Sequence, residues 1–409
     1  MPPPLSSGRL FPGRPGPGRR GPAAALVAML ALAAGAGCTA ERTPTASAPS
    51  PAPPSPSSSG PEQPTPPESP TASPEPGALP AGVPGRPQDI ATGLDVPWDV
   101  AVLPDGTAFV TLRNQARVLR VGPGSVSAVP APGPDGRVPD VAAEGEGGLL
   151  GIALSPQFEQ DNEVFLYLTT RQDNRVVRMT HRDGRLINPE VVLSGIPRAK
   201  VHNGGRIRFG PDGMLYVATG DAADRTASQD PRSLGGKILR MTPDGQAPED
   251  NPTPGSLVYS LGHRNVQGLG WDSAGRLYAS EFGQNEFDEL NLIRPGANYG
   301  WPEVEGADDG GGRFELPLQT WTPEEASPSG IAVTDDAVWV ASLRGERLWR
   351  VPLTPDGATG TPEPYLEDTL GRLRSVDVGP DGTLWLLTSN TFRGELRPGD
   401  DRLVSLPLQ

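Results

Sequence analysis

From residue 88 to the C-terminus, apolar and polar side chains alternate in short runs separated by turn residues. Leu103-Pro104-Asp105-Gly106-Thr107-Ala108-Phe109-Val110 sets the pattern. An apolar strand end meets a turn of Asp and Gly, and a strand of β-branched and aromatic residues follows. Related segments occupy residues 209–217, 271–278, 333–340 and 378–386, and a looser copy with a longer turn occupies 154–168. Asp, Asn and Gly tolerate positive φ or bond their own backbone, so each segment predicts a hairpin. Each is followed by a second alternating run, at 117–121, 175–179, 237–241, 289–293, 347–351 and 402–406. A period of two marks half-buried strands, and no stretch carries a convincing helical period. Six related units over about 320 residues, roughly 50 residues each, predict an all-β fold, a six-bladed β-propeller. A pair of irregular β-sandwiches would not generate six copies. A strand near Ile90-Ala91-Thr92 is expected to pair into the last blade and close the ring, which removes exposed strand edges.

The pattern is absent before residue 88. Residues 1–20 carry Arg9, Arg14, Arg19 and Arg20 without an acidic residue, and an apolar run follows over 23–36. That run is too short to span a bilayer and predicts a signal-peptide core. It ends in Gly35-Ala36-Gly37, directly before Cys38, the one cysteine of the chain. This resembles a bacterial lipoprotein signal, although Gly35 stands where a leucine is usual; ordinary secretory cleavage nearby is the alternative. Arg19-Arg20 lacks the apolar residues that follow the pair in twin-arginine signals. Residues 43–87 are Pro, Ser, Thr, Ala, Gly and Glu with almost no large apolar side chain. Such a segment cannot offset its chain entropy by burial, and its prolines keep it extended. The expected organisation is a signal peptide over 1–37 with Cys38 acylated, a disordered Pro-rich tether over 38–87 and a propeller over 88–409. The protein is therefore expected outside the cytoplasm, lipid-anchored to the cell membrane or secreted, touching the membrane only through the anchor.

Charge and composition narrow the partners. A net charge of -14 argues against nucleic acid, which requires a basic surface. One cysteine excludes a disulfide framework and a cysteine-based zinc cluster. No nucleophile-elbow serine, phosphate loop or zinc spacing occurs.

Propellers carry function on loops around the channel. Five glycine-rich segments are candidates: residues 145–151, 202–206, 261–268, 280–284 and 370–374. Their glycines permit close backbone approach to a ligand. Arg264, Arg344, Arg372 and Arg374 come from three repeat units; converging, they would bind a multiply charged anion, and the alternative is solvated turns paired with Asp and Glu. Among the three histidines, His202 is a candidate general base, because an unperturbed imidazole titrates near neutrality. Asp221 could orient it. His263, next to Arg264, is expected to be structural, and His181 to be an exposed turn residue. Glu281 and the carbonyls of Gly283 and Gln284 offer hard oxygen ligands suited to calcium.

His202-Asn203-Gly204-Gly205-Arg206, a strand and Gly220-Asp221, then Gly262-His263-Arg264-Asn265 with Gln267-Gly268, then Asn298-Tyr299-Gly300-Trp301-Pro302, follow one another in the chain. Together they resemble the pyrroloquinoline quinone (PQQ)-dependent soluble glucose and aldose sugar dehydrogenases, from about residue 88 onward. The resemblance implies a six-bladed propeller that uses PQQ and calcium to oxidise an aldose at C1 to the lactone. It implies that His202 is the base taking the C1 hydroxyl proton, that Asp221 pairs with it, and that the C1 hydride passes to the quinone. It further implies that Arg264 and Asn265 contact the quinone, that Arg372 and Arg374 hold its carboxylates, and that Gly283 and Gln284 bind calcium through their carbonyls. Three positions depart from the glucose dehydrogenases: Glu146 replaces a cofactor-contacting glutamine, Arg344 a lysine, and Gln284 a proline. A carboxylate at 146 beside an anionic cofactor favours a second reading, a non-catalytic cell-surface propeller that binds a carbohydrate or protein. A calcium-dependent lactonase is a third, which would want carboxylates where these loops offer arginines. The sugar and the electron acceptor are not specified by these residues.

Overall fold

In the computed structural model, residues 82–409 are described; the expected signal segment, Cys38 and most of the tether lie outside them. The described chain forms six antiparallel sheets of four strands each. The innermost strands of blades 1 to 6 are Pro97–Val102, Leu149–Leu154, Ile207–Phe209, Val266–Trp271, Pro328–Val333 and Leu373–Val378. Each hairpin read from the sequence links an innermost strand to the second, and each following alternating run is a third strand, such as Lys237–Met241. Blade 6 takes its outermost strand from the N-terminal side: Gln88 lies opposite Ser405 and Ala91 opposite Leu403. Pairing extends further back, with Val83 and Gln409 exchanging backbone hydrogen bonds. The expected tether boundary near residue 87 thus falls within a paired segment.

The outermost strands of blades 4 and 5, Gln319–Trp321 and Glu363–Tyr365, are three residues long, too short to show a period. Ser125–Val129 of blade 1 alternates in sequence but is exposed at four of its five positions, so the alternation marks no buried face. Helix is confined to short turns among the described residues. The four-residue helix Phe158–Asp161 occupies the longer turn of blade 2.

Six apolar clusters hold the ring, one at each junction between neighbouring blades. Phe165, Tyr167 and Val176 of blade 2 meet Ile207, Val217 and Leu239 of blade 3. Ala91, Leu387 and Leu403 of blade 6 meet Val100, Val110 and Val121 of blade 1. Every buried Val, Leu or Ile contributes about 1.5–3 kcal/mol, so the closing junction contributes like the other five. His181 corrects its expectation: it lies in the strand Asn174–Arg182, half-buried, with its ring 5.0 Å from Phe109.

Polar side chains fill the channel. Asp99 of blade 1 is fully buried and accepts hydrogen bonds from Arg206, from Arg208 at 2.9 and 3.0 Å, and from the backbone of Ile152 at 3.1 Å. Burial alone would raise the Asp99 carboxyl, but the two guanidiniums outweigh it and hold the group below the usual range. Arg206 also donates to the Gln267 carbonyl at 2.8 Å and lies 4.6 Å from the centre of a Trp98 ring. Charge-paired residues from blades 1, 3 and 6 thus meet in the channel, with Arg208 also reaching Asp377 at 3.4 Å.

Candidate active site at the channel mouth

A cavity of about 350 Å³ opens at the mouth. All five connections between successive blades reach it, through Glu146, His202, Arg264 with Asn265, Ser327, and Arg372. Gly283, Gln284, Arg344 and Arg374 line it as well. Innermost strands contribute through irregularities. The register shifts between Pro97 and Val100, between Val266 and Gly268, and between Leu373 and Ser375. Trp98, Gln267 and Arg374 sit at these shifts, and all three line the cavity. An extra residue in one strand of a pair re-aims its side chain, which is how these three leave the blade junctions for the channel.

His202 has a left-handed backbone (φ 54°). Its N–H donates to Glu146 Oε2 at 3.2 Å and its carbonyl accepts from the Ala222 N–H at 3.1 Å. Gly220 packs against the same carbonyl, leaving no room for a β-carbon there. Nδ1 lies 2.8 Å from Asp221 Oδ1, and Asp221 is fully buried. Trp301 Nε1 donates to the other Asp221 oxygen at 2.9 Å, and the Ala223 N–H donates to Oδ1 at 2.8 Å. Burial would raise the Asp221 carboxyl, but the hydrogen bonds from His202, Ala223 and Trp301 prevail and hold it below the usual range. An ionised carboxylate only accepts, so Nδ1 carries a proton, and in the neutral tautomer this selects, Nε2 is the nitrogen left to accept.

The blade 3 and blade 4 loops are stitched together. The Asp221 N–H donates to the Arg264 carbonyl at 2.8 Å, and the Gly204 N–H to Asn265 Oδ1 at 3.0 Å. Gly204 adopts φ 60° against the backbone of Thr219, a close approach that only glycine permits.

The arginines converge in two groups. Arg113, Arg264, Arg372 and Arg374 are buried or half-buried. Their guanidinium hydrogen bonds go to neutral groups: Asn114 Oδ1, the carbonyls of Phe282 and Leu343, and Gln267 Oε1. Burial lowers all four, Arg113 to about 10, and Arg113 and Arg372 push Arg374 further down. Buried Nε atoms of Arg264, Arg372 and Arg374, and the Asn265 amide nitrogen, have no hydrogen-bond partner among the described residues. These donors are arranged for an anion that the described chain does not itself supply. Arg344 and Arg393 form the second group, exposed at the rim and paired with Glu324 and Glu146 at 2.6 and 2.8 Å.

Gly283 and Gln284 reach the cavity on a loop held by two carboxylates. Asp288 Oδ1 accepts from the Gly283 N–H at 2.9 Å. Glu305 Oε1 accepts from four successive N–H groups, those of Gln284, Asn285, Glu286 and Phe287, at 2.6 to 3.2 Å. These bonds outweigh burial and keep Glu305 below the usual range, whereas burial prevails at Asp288 and pushes it up to about 6. Glu281 is occupied elsewhere. Its Oε2 meets His263 Nδ1 at 2.8 Å and its Oε1 accepts from the Arg264 N–H. His263 is fully buried with Nε2 at 2.8 Å from the Ser260 hydroxyl, the structural role expected of it. Among the described residues, no group of three or more His, Cys, Asp or Glu side chains is placed to hold a metal.

The sequence reading assigned no role to Trp301, Arg113, Gln267, Asp288, Glu305 or Arg393. Trp301 belonged to a motif already noted, but only the tertiary structure brings its indole to Asp221.

Fold and site together define a six-bladed propeller whose channel mouth holds a carboxylate-oriented histidine beside arginines without ionic partners among the described residues. Residues 94–397 match the family model of the glucose/sorbosone dehydrogenases, and the chain belongs to that family of sugar dehydrogenases. It is 32% identical over 354 residues to the aldose sugar dehydrogenase YliI of Escherichia coli, covering 74% of this chain and 89% of that one. It is 34% identical over 261 residues to quinoprotein glucose dehydrogenase B of Acinetobacter calcoaceticus, a match over 54% of this chain and about half (53%) of that relative. Among solved structures, the PQQ-bound form of the aldose sugar dehydrogenase from Streptomyces coelicolor is similar, with 51% identity and a TM-score of 0.77 over 81% of this chain and 100% of that one.

Proposed function

We propose that this chain is a PQQ- and calcium-dependent aldose dehydrogenase that oxidises a sugar at C1 to the lactone. The observation that carries the reading is the meeting of His202–Asp221 with four buried or half-buried arginines whose guanidinium hydrogen bonds go only to neutral groups among the described residues. The donor set fits a planar tricarboxylate: Arg372 and Arg374 would hold carboxylates, and Arg264 with the free Asn265 amide would contact the quinone. The protein offers calcium the carbonyls of Gly283 and Gln284 rather than a carboxylate cage. When bound, the quinone supplies the two-electron acceptor for the C1 hydride, and calcium acts on it as a Lewis acid. His202 Nε2 takes the hydroxyl proton, and Asp221, fixed by Trp301, stabilises the imidazolium that results. Glu146, which favoured a non-catalytic propeller, is charge-paired with Arg393 and presents no unpaired carboxylate to an anion.

The test is reconstitution with PQQ and calcium, followed by dye reduction with a panel of aldoses. Activity and a cofactor-induced rise in melting temperature are expected; neither with any sugar would overturn the reading. A sharper expectation concerns Arg374→Ala. Loss of one charge-assisted contact of about 1.5–3 kcal/mol weakens the cofactor roughly 10- to 100-fold in a spectral titration. The cofactor-free protein should melt no lower than the wild type, because the substitution removes a buried cation that has no ionic partner among the described residues.

The lipoprotein reading of Cys38 forms part of the same proposal and places the enzyme on the outer side of a membrane. Mass spectrometry of the mature N-terminus should find acylated Cys38, and an unmodified terminus at another residue would refute the anchor.

A further inference from the structure

Glu146 and Arg393 lie 247 positions apart and meet across the cavity rim at 2.8 Å. Arg393 comes from the loop between the second and third strands of blade 6, Leu384–Thr388 and Leu403–Leu406. It has a left-handed backbone (φ 65°) and lies 4.7 Å from the centre of the Phe392 ring. Arg113 lies 3.8 Å from the centre of the same ring, so two guanidiniums contact Phe392. Glu146 uses its other oxygen to accept the His202 N–H. A continuous path of contacts thus runs from blade 6 through the carboxylate to the backbone of the proposed base. Both members line the cavity that Arg372 and Arg374 also line.

We propose that Arg393 and Glu146 act as one neutral positioning unit. Glu146 fixes the strained His202 backbone, and Arg393 cancels the charge that this carboxylate would otherwise place beside the bound anion. Arg393 is a positioning residue that acts through Glu146 rather than by touching the cofactor. The electrostatic half of the inference rests on the reading of the cavity as a PQQ site; the backbone half does not. A carboxylate is the better acceptor for a backbone N–H, and an adjacent guanidinium offsets the charge it would otherwise turn toward a tricarboxylate.

The experiment has two arms. In the first, PQQ with calcium is titrated spectrally into the wild type, Arg393→Gln, Glu146→Gln and the double variant. Arg393→Gln alone should weaken PQQ roughly tenfold, since it leaves an unpaired carboxylate near the anion. The double variant should return to within about twofold of the wild type, because the amide introduced by Glu146→Gln keeps an acceptor for the His202 N–H without the charge. An equal loss from Arg393→Gln in both backgrounds, or no loss in either, overturns the neutralising role. In the second arm, hydrogen exchange of the His202 amide is followed in cofactor-free protein. Protection in the wild type and in Glu146→Gln, lost in Glu146→Ala, supports the backbone role; equal protection in all three refutes it. If the wild type binds no PQQ, the proposed function fails, while the exchange arm still decides whether Glu146 holds His202.

Discussion

Replacing His202 by asparagine should lower kcat by about 10²- to 10⁴-fold, the usual contribution of a positioned general base, while the cofactor affinity stays near the wild-type value. Asparagine is chosen because it tolerates the left-handed backbone at φ 54°, so the loop geometry survives the loss of the imidazole. The Asp221 carboxylate would remain fixed by Trp301 and Ala223. Steady-state dye reduction together with a spectral cofactor titration separates the two quantities. Undiminished turnover would remove His202 from the mechanism, and parallel loss of cofactor binding would make it a binding residue instead.

Asp99→Ala should destabilise the domain by about 3–5 kcal/mol, the penalty for leaving the buried Arg206 guanidinium without its carboxylate, while Arg208 keeps Asp377 at 3.4 Å. Asp99 is the carboxylate that Arg206 and Arg208 share, and Arg206 is almost wholly buried. A urea denaturation series measures the loss. The interaction also carries a pH signature. The folded-state value of Asp99 is depressed, so its stabilisation is complete above the ordinary aspartate value of 3.8 and is lost as the pH falls through the lower folded value. Wild type and Asp99→Ala should therefore converge in stability in strong acid, and a constant difference down to that range would count against the shared ion pair. The same substitution should loosen the site above it, because Arg206 bonds the Gln267 carbonyl while the Gln267 side chain receives Arg374.

Much of the fold was legible because propeller signals are local. The Asp212-Gly213 turn bonds within itself, with the Met214 N–H on Asp212 Oδ1 at 3.0 Å, and its neighbours alternate as a two-sided strand must. The outermost strands were not legible, since Gln319–Trp321 and Glu363–Tyr365 are too short to show a period and Ser125–Val129 buries no face for its alternation to mark. Arg182-Asp183-Gly184 is a genuine turn signal and predicts an exposed His181, while the burial of the imidazole against Phe109 depends on the neighbouring blade. The residue type of Glu281 suits a cation, but residue type cannot show that His263 and the Arg264 backbone N–H hydrogen-bond both of its oxygens.

Sequence alone determined the six hairpins, the third strands and the ring closure at Ile90-Ala91, because each follows from turn chemistry and a period of two. It also marked the glycine loops, where backbone freedom is written into the residue. The tertiary structure alone decided which charged groups are paired. Trp98, Gln267 and Arg374 turn into the cavity at register shifts, and a shift breaks the very alternation by which a strand is read. Arg393 reaches Glu146 only once the ring is closed, and no local pattern encodes a contact across 247 positions. The physical reason is one of range: backbone preference acts over a few residues, whereas charge and burial are settled by whatever the fold brings within a few ångströms.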